Sequence, residues 1–521
     1  KKSLNLPKTE FPMKGNLPAK EPGILSDWEK QDIYQKIREK RRGAPKYILH
    51  DGPPYANGNI HIGHALNKTL KDIVIKYKTM RGFDSPYVPG WDCHGMPIEH
   101  QLFREIKKTK HDVDQVEFRK KARKFAIKYV EIQKEEFKRL GIFGDWDNPY
   151  LTLNPIYEKE VIKSFSKLAK DGFIYHGLKP INWCARCETA LAEAEVEYEM
   201  HISPSIYVKF DVASAPFDEK SASFLVWTTT PWTLISNVAI AVHPDLNYVV
   251  FKTKKGEVFI FVEDLLETVK KKIGFKGKVL KKLKGASLDG AITRHPFLNR
   301  ASRVVLADFV SREEGTGCVH IAPGHGQEDY SVGLKYKLPV IMPIDDKGNF
   351  MEGKDYDLPD PIKGKMVFDA NKIILKILRE KETLLFSEET EHSYPHCWRC
   401  HEPLIFRATK QWFVGVDKNK LRSKTLKEIK DVKWVPEVGE KRIFSMVESR
   451  PDWCLSRQRY WGVPVPVFYC SSCDQEILDE KVMKKIEEAF GKDGSDVWFL
   501  KEAKEFIPKG FKCPGCGGRE F

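Results

Sequence analysis

The 521-residue sequence has no apolar run approaching the roughly 20 residues that a membrane-spanning helix needs, so a soluble protein is expected. It has no internal repeat and no low-complexity tract, which sets aside solenoid and linker-like classes. No apolar stretch follows Lys1-Lys2-Ser3, so neither a signal peptide nor a transit helix is expected. The initiator methionine is missing too, and residues before Lys1 are therefore expected. Acidic side chains are in deficit, 73 against 87 basic ones, for a formal charge of +14. That balance suits a polyanionic partner, because lysine and arginine near phosphates release counterions. A solvated basic surface gives the same balance, so charge permits nucleic acid without requiring it.

What is present is the make-up of a globular enzyme, 41% hydrophobic and 12% aromatic. The length exceeds one compact core and points to three or four domains. Of the eleven cysteines, eight fall in four CxxC pairs: Cys184/Cys187, Cys397/Cys400, Cys470/Cys473 and Cys513/Cys516. In a chain without a secretory signal, such pairs indicate metal binding in a reducing compartment, and a cytoplasmic location is expected.

Near the N-terminus, Ser26-Asp27-Trp28-Glu29 has the form of a capping box, predicting a helix from there towards Arg42. Tyr47-Ile48-Leu49 predicts a buried strand, followed by a loop from Asp51 to Asn59. Ile62, Leu66, Leu70, Ile73, Val74 and Tyr77 then recur at three- and four-residue steps, one apolar helix face ending before Gly82. A second strand, Ser85 to Val88, leads into Gly90-Trp91-Asp92. Strand, loop, helix, strand is the opening of a parallel α/β sheet, whose ligands sit beyond the strands' carboxyl ends. From about Ser203 to Glu391 the texture changes to short apolar segments: Ile206 to Phe210, Phe224 to Thr228, Val238 to Val242, Tyr248 to Phe251 and Val258 to Phe261. Turn residues separate them, as in a closed antiparallel barrel inserted into the α/β domain. Lys270 to Lys284 reads as a solvated surface.

Two pairs of thiols, Cys184/Cys187 and Cys397/Cys400, bracket that insertion. Together they would close a tetrahedral four-thiolate zinc site at its neck, and Cys470/Cys473 with Cys513/Cys516 a second. Four thiolates leave no open position, so both sites would be structural. The lengths between the pairs exceed those of a zinc ribbon, which weakens each pairing. Trp183-Cys184-Ala185-Arg186-Cys187 also has the WCxxC form of redox sites, but four such pairs would be odd in an oxidoreductase.

The loop and helix start run Gly52-Pro53-Pro54-Tyr55-Ala56-Asn57-Gly58-Asn59-Ile60-His61-Ile62-Gly63-His64. A helix N-terminus offers unpaired amides and partial positive charge to a phosphate. His61 and His64, three apart on one helix face, can donate to the same phosphate oxygens, and Gly63 lets a flat group lie against the backbone. Two ordinary surface histidines would look the same in isolation.

The surrounding string decides between them. Pro54 to His64 resembles the HIGH motif of class I aminoacyl-tRNA synthetases, in the form of the isoleucyl branch. The resemblance continues through Gly90-Trp91-Asp92-Cys93-His94-Gly95-Met96-Pro97-Ile98-Glu99, Trp227 to Leu234, Gly315 to Asp329, His392 to Cys400 and Arg450 to Pro464. Met96 stands where leucine is usual, a volume-conserving change. The resemblance implies that the Rossmann domain activates isoleucine with ATP and magnesium, giving isoleucyl-adenylate. It assigns His61 and His64 to the phosphates, Asp92 to the substrate ammonium, and Pro54 and Trp461 to the walls of the side-chain pocket. Without it, Asp92 would pass for a turn residue and Trp461 for a core aromatic.

An apolar pocket separates valine from isoleucine poorly; isoleucyl enzymes are themselves the known example, at about 150-fold, so hydrolytic editing must supply the rest. The resemblance places that site in the inserted domain. Asp329 would bind the ammonium of misattached valine, while Thr228, Thr229, Thr230, Asn237 and His320 would shape the pocket and place the water. A threonine run alone would be a polar strand face.

The domains expected are a helical extension (1–44), a Rossmann catalytic first half with the first zinc knuckle (45–200) and a β-barrel editing insertion (201–392). A knuckle with the return to the catalytic domain (393–465) and a second zinc-binding insertion (466–521) follow. The KMSKS loop and anticodon-binding domain of the family do not occur in the 521 residues, so a fragment is expected. The partners expected are isoleucine, ATP and isoleucine tRNA, with two structural zinc ions, no membrane, and a monomer. A tRNA-deacylating fragment, a zinc-stabilised tRNA-binding module and a valyl or leucyl relative are the competing readings.

Overall fold

The computed structural model describes residue 10 and residues 14–218, 221–352 and 356–521. The chain forms two compact units, Lys1–Asp171 with Arg459–Phe521, and Gly172–Gln458. No helix among the described residues is long and apolar enough to cross a membrane.

In the first unit, helix α1 (Leu17–Lys30) starts with proline in its first turn, where a preset φ and a missing amide cost nothing. Ser26 lies inside α1, so the capping box expected there does not form. The single helix expected to reach Arg42 is broken at Asp32, at φ 51°, before α2 (Ile33–Lys40). The strands expected at Tyr47–Leu49 and Ser85–Val88 shrink to one parallel bridge, Lys46 to Asp84. Pro45, Pro53, Pro54, Pro86 and Pro89 remove the amides a longer ladder would use. Regular parallel pairing survives only where β1 (Gly90–Trp91) meets β2 (Tyr150–Leu151).

Helix α3 (Ile62–Met80) ends where predicted, but its apolar stripe does not face inward. Ile62, Leu66, Leu70, Ile73 and Tyr77 are all at least 50% exposed, whereas Lys68, Asp72 and Ile75 are buried. Asp51 explains the inversion: it draws Lys68, Lys71 and the Tyr87 hydroxyl onto one carboxylate. These three donors outweigh burial and hold the Asp51 carboxyl below its ordinary range. Helices α4 (Met96–Ile106), α5 (Gln115–Arg139) and α6 (Pro155–Lys170) follow. Trp91, Phe118, Phe125, Phe137 and Trp461 form the centre of this unit's core.

The second unit is built on strands. A four-stranded antiparallel sheet contains β3 (Ile174–Cys184) and β4 (Thr189–Ala190). The ten-stranded sheet begins with β5 (Val196–Ser214), β6 (Ala222–Thr228), β7 (Ala239–Val242), β8 (Asn247–Thr253) and β9 (Val258–Val262). These five strands contain the five apolar segments seen in the sequence, apart from Val238. After helix α7 (Leu266–Ile273) come β10 (Gly277–Lys284), β11 (Ile292–Arg294), β12 (Ala301–Leu306) and β13 (Cys318–Ile321). The order is β10-β8-β9-β6-β5-β11-β12-β7-β13, with β14 (Leu384–Cys397) also on β5.

Pairing is mixed rather than purely antiparallel, because β6 runs parallel to β9 and β12 parallel to β7. Period-two alternation reports burial, not direction, so the sequence could not distinguish the two. Lys278, Lys282 and Lys284 of β10 are exposed on an edge strand, a placement that discourages edge-to-edge pairing. Helices α8 (Gln327–Tyr336) and α9 (Val367–Glu380) pack in this unit. Strand β15 (Ile405–Val414), helices α10 (Leu421–Asp431) and α11 (Val438–Glu448), and β16 (Trp453–Cys454) complete it. The small sheet, ordered β16-β15-β3-β4, belongs to the same unit as the large one, so the division falls at 172 and 458.

Back in the first unit, β17 (Phe468–Tyr469) and β18 (Glu476–Ile477) form a short hairpin before α12 (Glu480–Asp493). Val482, Met483, Ile486 and Phe490 of α12 share a core with Ile162 of α6, Cys470 and Cys513.

Candidate functional site

His61 is the N-cap of α3 rather than a residue on its face. Its ring stacks on that of His64 with centroids 4.0 Å apart. His61 Nδ1 accepts from Gly63 N at 3.1 Å, and His64 Nδ1 accepts from His61 N at 3.4 Å. With Nδ1 accepting in each ring, Nε2 is the nitrogen left to donate outward. Burial, His61 and Lys68 hold the His64 ring below its ordinary pKa, favouring that neutral donor. Helix α5 fixes the loop from behind. Gln133 donates to Tyr55 O and Gly58 O, and Glu136 accepts from Ile60 N and the Asn59 amide.

Pro54, Asp92 and Trp461 come together through backbone contacts. Asp92 N donates to Pro54 O at 2.9 Å, and Trp461 Nε1 donates to Cys93 O at 2.6 Å. The Asp92 carboxylate is half-buried and accepts from His94 N at 3.3 Å. No lysine or arginine pairs with it among the described residues, and burial raises its pKa. Glu99, which sequence reasoning left unassigned, is buried and accepts from Tyr460 N and Trp461 N at 2.5 and 2.7 Å. It fixes the Trp461 loop to the first turn of α4. Its spacing gave no signal, because its partners lie more than 360 residues away.

In the second unit, the threonine run and the Gly315-to-Asp329 segment face each other. A Cβ on Gly315 would lie 2.7 Å from the Trp227 ring, and Gly315 sits at φ 72°, so only glycine allows the approach. Thr228 Oγ1 lies 3.2 Å from Thr230 Oγ1, which lies 3.4 Å from Thr233 Oγ1. Thr233 Oγ1 in turn is 3.0 Å from His320 Nε2, and His320 Nδ1 is buried without a partner. Burial, with His325 nearby, pushes His320 down to about 4, so the ring is neutral. Thr233, within the matched Trp227-to-Leu234 stretch but given no role there, thus joins the set. Thr229 is half-buried beside Thr230, lining a cavity of about 500 Å³ with Trp232, Asn371 and Tyr394. Asn237 is not brought to this chain of hydroxyls. It is fully buried, with its amide donating to Ala239 O and accepting from Ser302 Oγ.

Asp329 opens α8 and accepts from Ala322 N at 2.7 Å. Burial pushes its carboxyl up to about 7, and Glu328 adds to the rise. As at Asp92, no lysine or arginine pairs with it among the described residues.

The eight paired cysteines gather into two groups, Cys184/Cys187/Cys397/Cys400 and Cys470/Cys473/Cys513/Cys516, each with all sulfurs within 4.8 Å. All are free thiols, with sulfur–sulfur distances of 3.5 Å for Cys184–Cys400 and Cys470–Cys516, and 3.7 Å for Cys473–Cys513. A tetrahedral zinc ion with bonds of about 2.3 Å requires sulfur edges of about 3.8 Å, so both groups fit such an ion. Cys93, Cys318 and Cys454 are buried apart from these groups, and burial raises each thiol's pKa, that of Cys93 to about 12.

Residues 23–514 match the family model described as tRNA synthetases class I (I, L, M and V). The isoleucine–tRNA ligases of Persephonella marina and Moorella thermoacetica are each 53% identical over the whole chain. That of Thermotoga maritima is also 53% identical. This chain spans 55–56% of the length of these relatives. Among solved structures, the LeuRS–tRNA–LeuAMS complex of Agrobacterium radiobacter K84 aligns with 97% of this chain and 57% of its own. At TM-score 0.39 and 18% identity, that likeness is too loose to transfer any residue's role.

Proposed function

Because this chain belongs to the class I tRNA synthetases of the isoleucine, leucine, methionine and valine group, we propose that it carries the isoleucine-activating site and a valine-editing site of an isoleucine–tRNA ligase. The observation that carries the reading is the half-buried Asp92 carboxylate, with no lysine or arginine partner among the described residues, in a loop whose backbone Pro54 and Trp461 contact. A desolvated carboxylate is costly until a cation neutralises it, and an α-ammonium is such a cation. The substrate carboxylate then attacks the α-phosphate of ATP, and pyrophosphate leaves. No protein nucleophile is needed, so the protein's part is to position the reactants and stabilise phosphate charge. His61 and His64 do so from the α3 N-terminus, with the Nε2 protons directed at the phosphates. Magnesium, brought with ATP, would neutralise phosphate charge.

In the second unit we assign the editing of valyl-tRNA to the threonine–His320–Asp329 site on the inserted sheet, a barrel-like editing domain. Asp329 would take the valine ammonium, Thr228, Thr229 and Thr230 would restrict the side chain, and the free Nδ1 of His320 would accept from the attacking water. Zinc at each cysteine group would cross-link distant segments and perform no chemistry. Isoleucine tRNA, a monomeric state and a cytoplasmic setting belong to the same proposal.

The test is equilibrium binding of isoleucine to this chain, followed by calorimetry. Isoleucine should bind more tightly than valine and leucine, and Asp92→Ala should abolish the heat. Equal affinity for the three amino acids, or no loss in Asp92→Ala, would sink the assignment.

A further inference from the structure

Arg119, on α5, is among the largest fully buried side chains, at 1% exposure. A buried guanidinium needs its five N–H groups satisfied, and its acceptors here converge on one place. Nη1 donates to Tyr460 O at 2.7 Å and to Gly462 O at 3.0 Å, the carbonyls on either side of Trp461. Nη2 donates to Ser495 Oγ at 2.8 Å, and Nε to Asp496 Oδ1 at 2.5 Å. The guanidinium carbon lies 5.2 Å from the Trp461 ring centroid and 4.6 Å from that of Phe499, within cation–π range.

Trp461 is therefore held on both polar edges of its backbone. Glu99 takes the amides of Tyr460 and Trp461, and Arg119 takes the flanking carbonyls. The indole is also fixed at its own edge by Cys93 O, with the His94 ring 4.9 Å away. Ser495 is itself anchored: its amide and hydroxyl donate to the buried carboxylate of Glu158 at 2.6 and 2.7 Å. Ser495 and Asp496 lie just past the end of α12, so Arg119 spans from the cysteine-bearing segment to the tryptophan loop.

We propose that Arg119 is the positioning residue that sets the Trp461 wall of the amino-acid pocket, and that through Ser495 and Asp496 the 466–521 segment governs that pocket's selectivity. The proposal rests on the assignment of Trp461 to the isoleucine pocket. A lysine at position 119 keeps the charge but has one nitrogen, which cannot bracket two carbonyls and also reach Ser495 and Asp496. Loss of a wall's register weakens binding of the amino acid whose extra methylene fills the pocket more than binding of valine.

The experiment compares Arg119→Lys with the parent chain labelled with 5-fluorotryptophan, the Trp461 resonance being assigned by Trp461→Phe. The ¹⁹F spectrum should show the Trp461 signal shifted or broadened while the signals of Trp227 and Trp232 stay fixed. Isoleucine affinity should fall ~10-fold and the preference for isoleucine over valine should shrink, as expected when a pocket wall loses its alignment. Asp496→Asn, which keeps Arg119 but removes its ionic partner, should move the same signal by less. An unmoved Trp461 resonance in Arg119→Lys overturns the positioning role. If that variant does not fold, an unmoved resonance in Ser495→Ala overturns it equally. A moved resonance with unchanged isoleucine preference overturns the claim on selectivity. Failure of the parent to bind isoleucine would instead refute the pocket assignment, and the resonance would still decide whether Arg119 orients Trp461.

Discussion

Asp92 and Asp329 pose the same electrostatic problem in two units built by different means. Each is a half-buried carboxylate with a raised pKa and no lysine or arginine partner among the described residues. Around Asp92 the scaffold is ionic: Asp51 with Lys68 and Lys71, Glu99 on the Trp461 loop, Arg119 with Asp496. Asp329 instead has the Ala322 amide and the like charge of Glu328, and its helix packs through Val332 on Ala239, Ala241, Val305 and Ile321 of the sheet. Short parallel contacts between proline-rich segments cannot supply rigidity by ladder, so side-chain charge does so in the first unit. A ten-stranded sheet needs no such help.

The comparison breaks most readily at Asp51. Removing one partner of a buried pair leaves the other charge stranded, at a cost of about 3–5 kcal/mol. Asp51→Ala should therefore raise hydrogen exchange across α3 and the 52–60 loop. A cost below about 1 kcal/mol would show that the ionic scaffold is dispensable.

The pKa of Asp329 gives the next largest effect. The folded value, about 7, lies above the ordinary carboxylate value of 3.8, so the native state binds the proton more tightly. Burial then costs nothing below about pH 4, and the cost appears as pH rises from about 4 to about 7. Asp329→Asn should raise the melting temperature at pH 8 and leave it nearly unchanged at pH 4. Equal shifts at both values would mean the carboxyl is not desolvated.

The metal groups sharpen the contrast further. Cys473 and Cys516 are exposed, while Cys184 and Cys397 are buried and Cys187 and Cys400 partly so. Elemental analysis should give two zinc ions per chain, and a chelator should remove them in two phases. The fast phase should vanish in Cys473→Ser. A single phase, or no metal with disulfides formed, would contradict the zinc assignment. Smallest of all, Leu70→Gln on the exposed stripe of α3 should change stability by less than about 0.5 kcal/mol. A cost of 2 kcal/mol or more would mean that face is buried in solution.

What the sequence disclosed follows the same divide. Strands β5 to β9 were legible because two-sided burial writes itself as continuous apolar runs. The extent of α3 was legible, but not its orientation, because a lysine held by a distant aspartate outweighs five apolar side chains. Pro54, Asp92 and Trp461 were legible only through the family resemblance, since Trp461 reaches the Asp92 loop across more than 360 residues. Glu99, Arg119 and Gln133 were invisible because each is an ordinary helix residue until partners distant in sequence arrive. Thr233 stands in the matched Trp227-to-Leu234 stretch, but only the fold brings its hydroxyl to His320.

The proposed roles give two separate aspartates the substrate ammonium for opposite purposes, and losing each in turn separates them. Asp92→Ala and Asp329→Ala are each assayed for isoleucine binding and for hydrolysis of valyl-tRNA carrying the isoleucine anticodon. A charge-assisted bond is worth about 1.5–3 kcal/mol, or ~10–150-fold. Asp92→Ala should lose isoleucine binding by that factor and keep hydrolysis, while Asp329→Ala should lose hydrolysis and keep binding. A variant that loses both activities, or neither, would contradict the account.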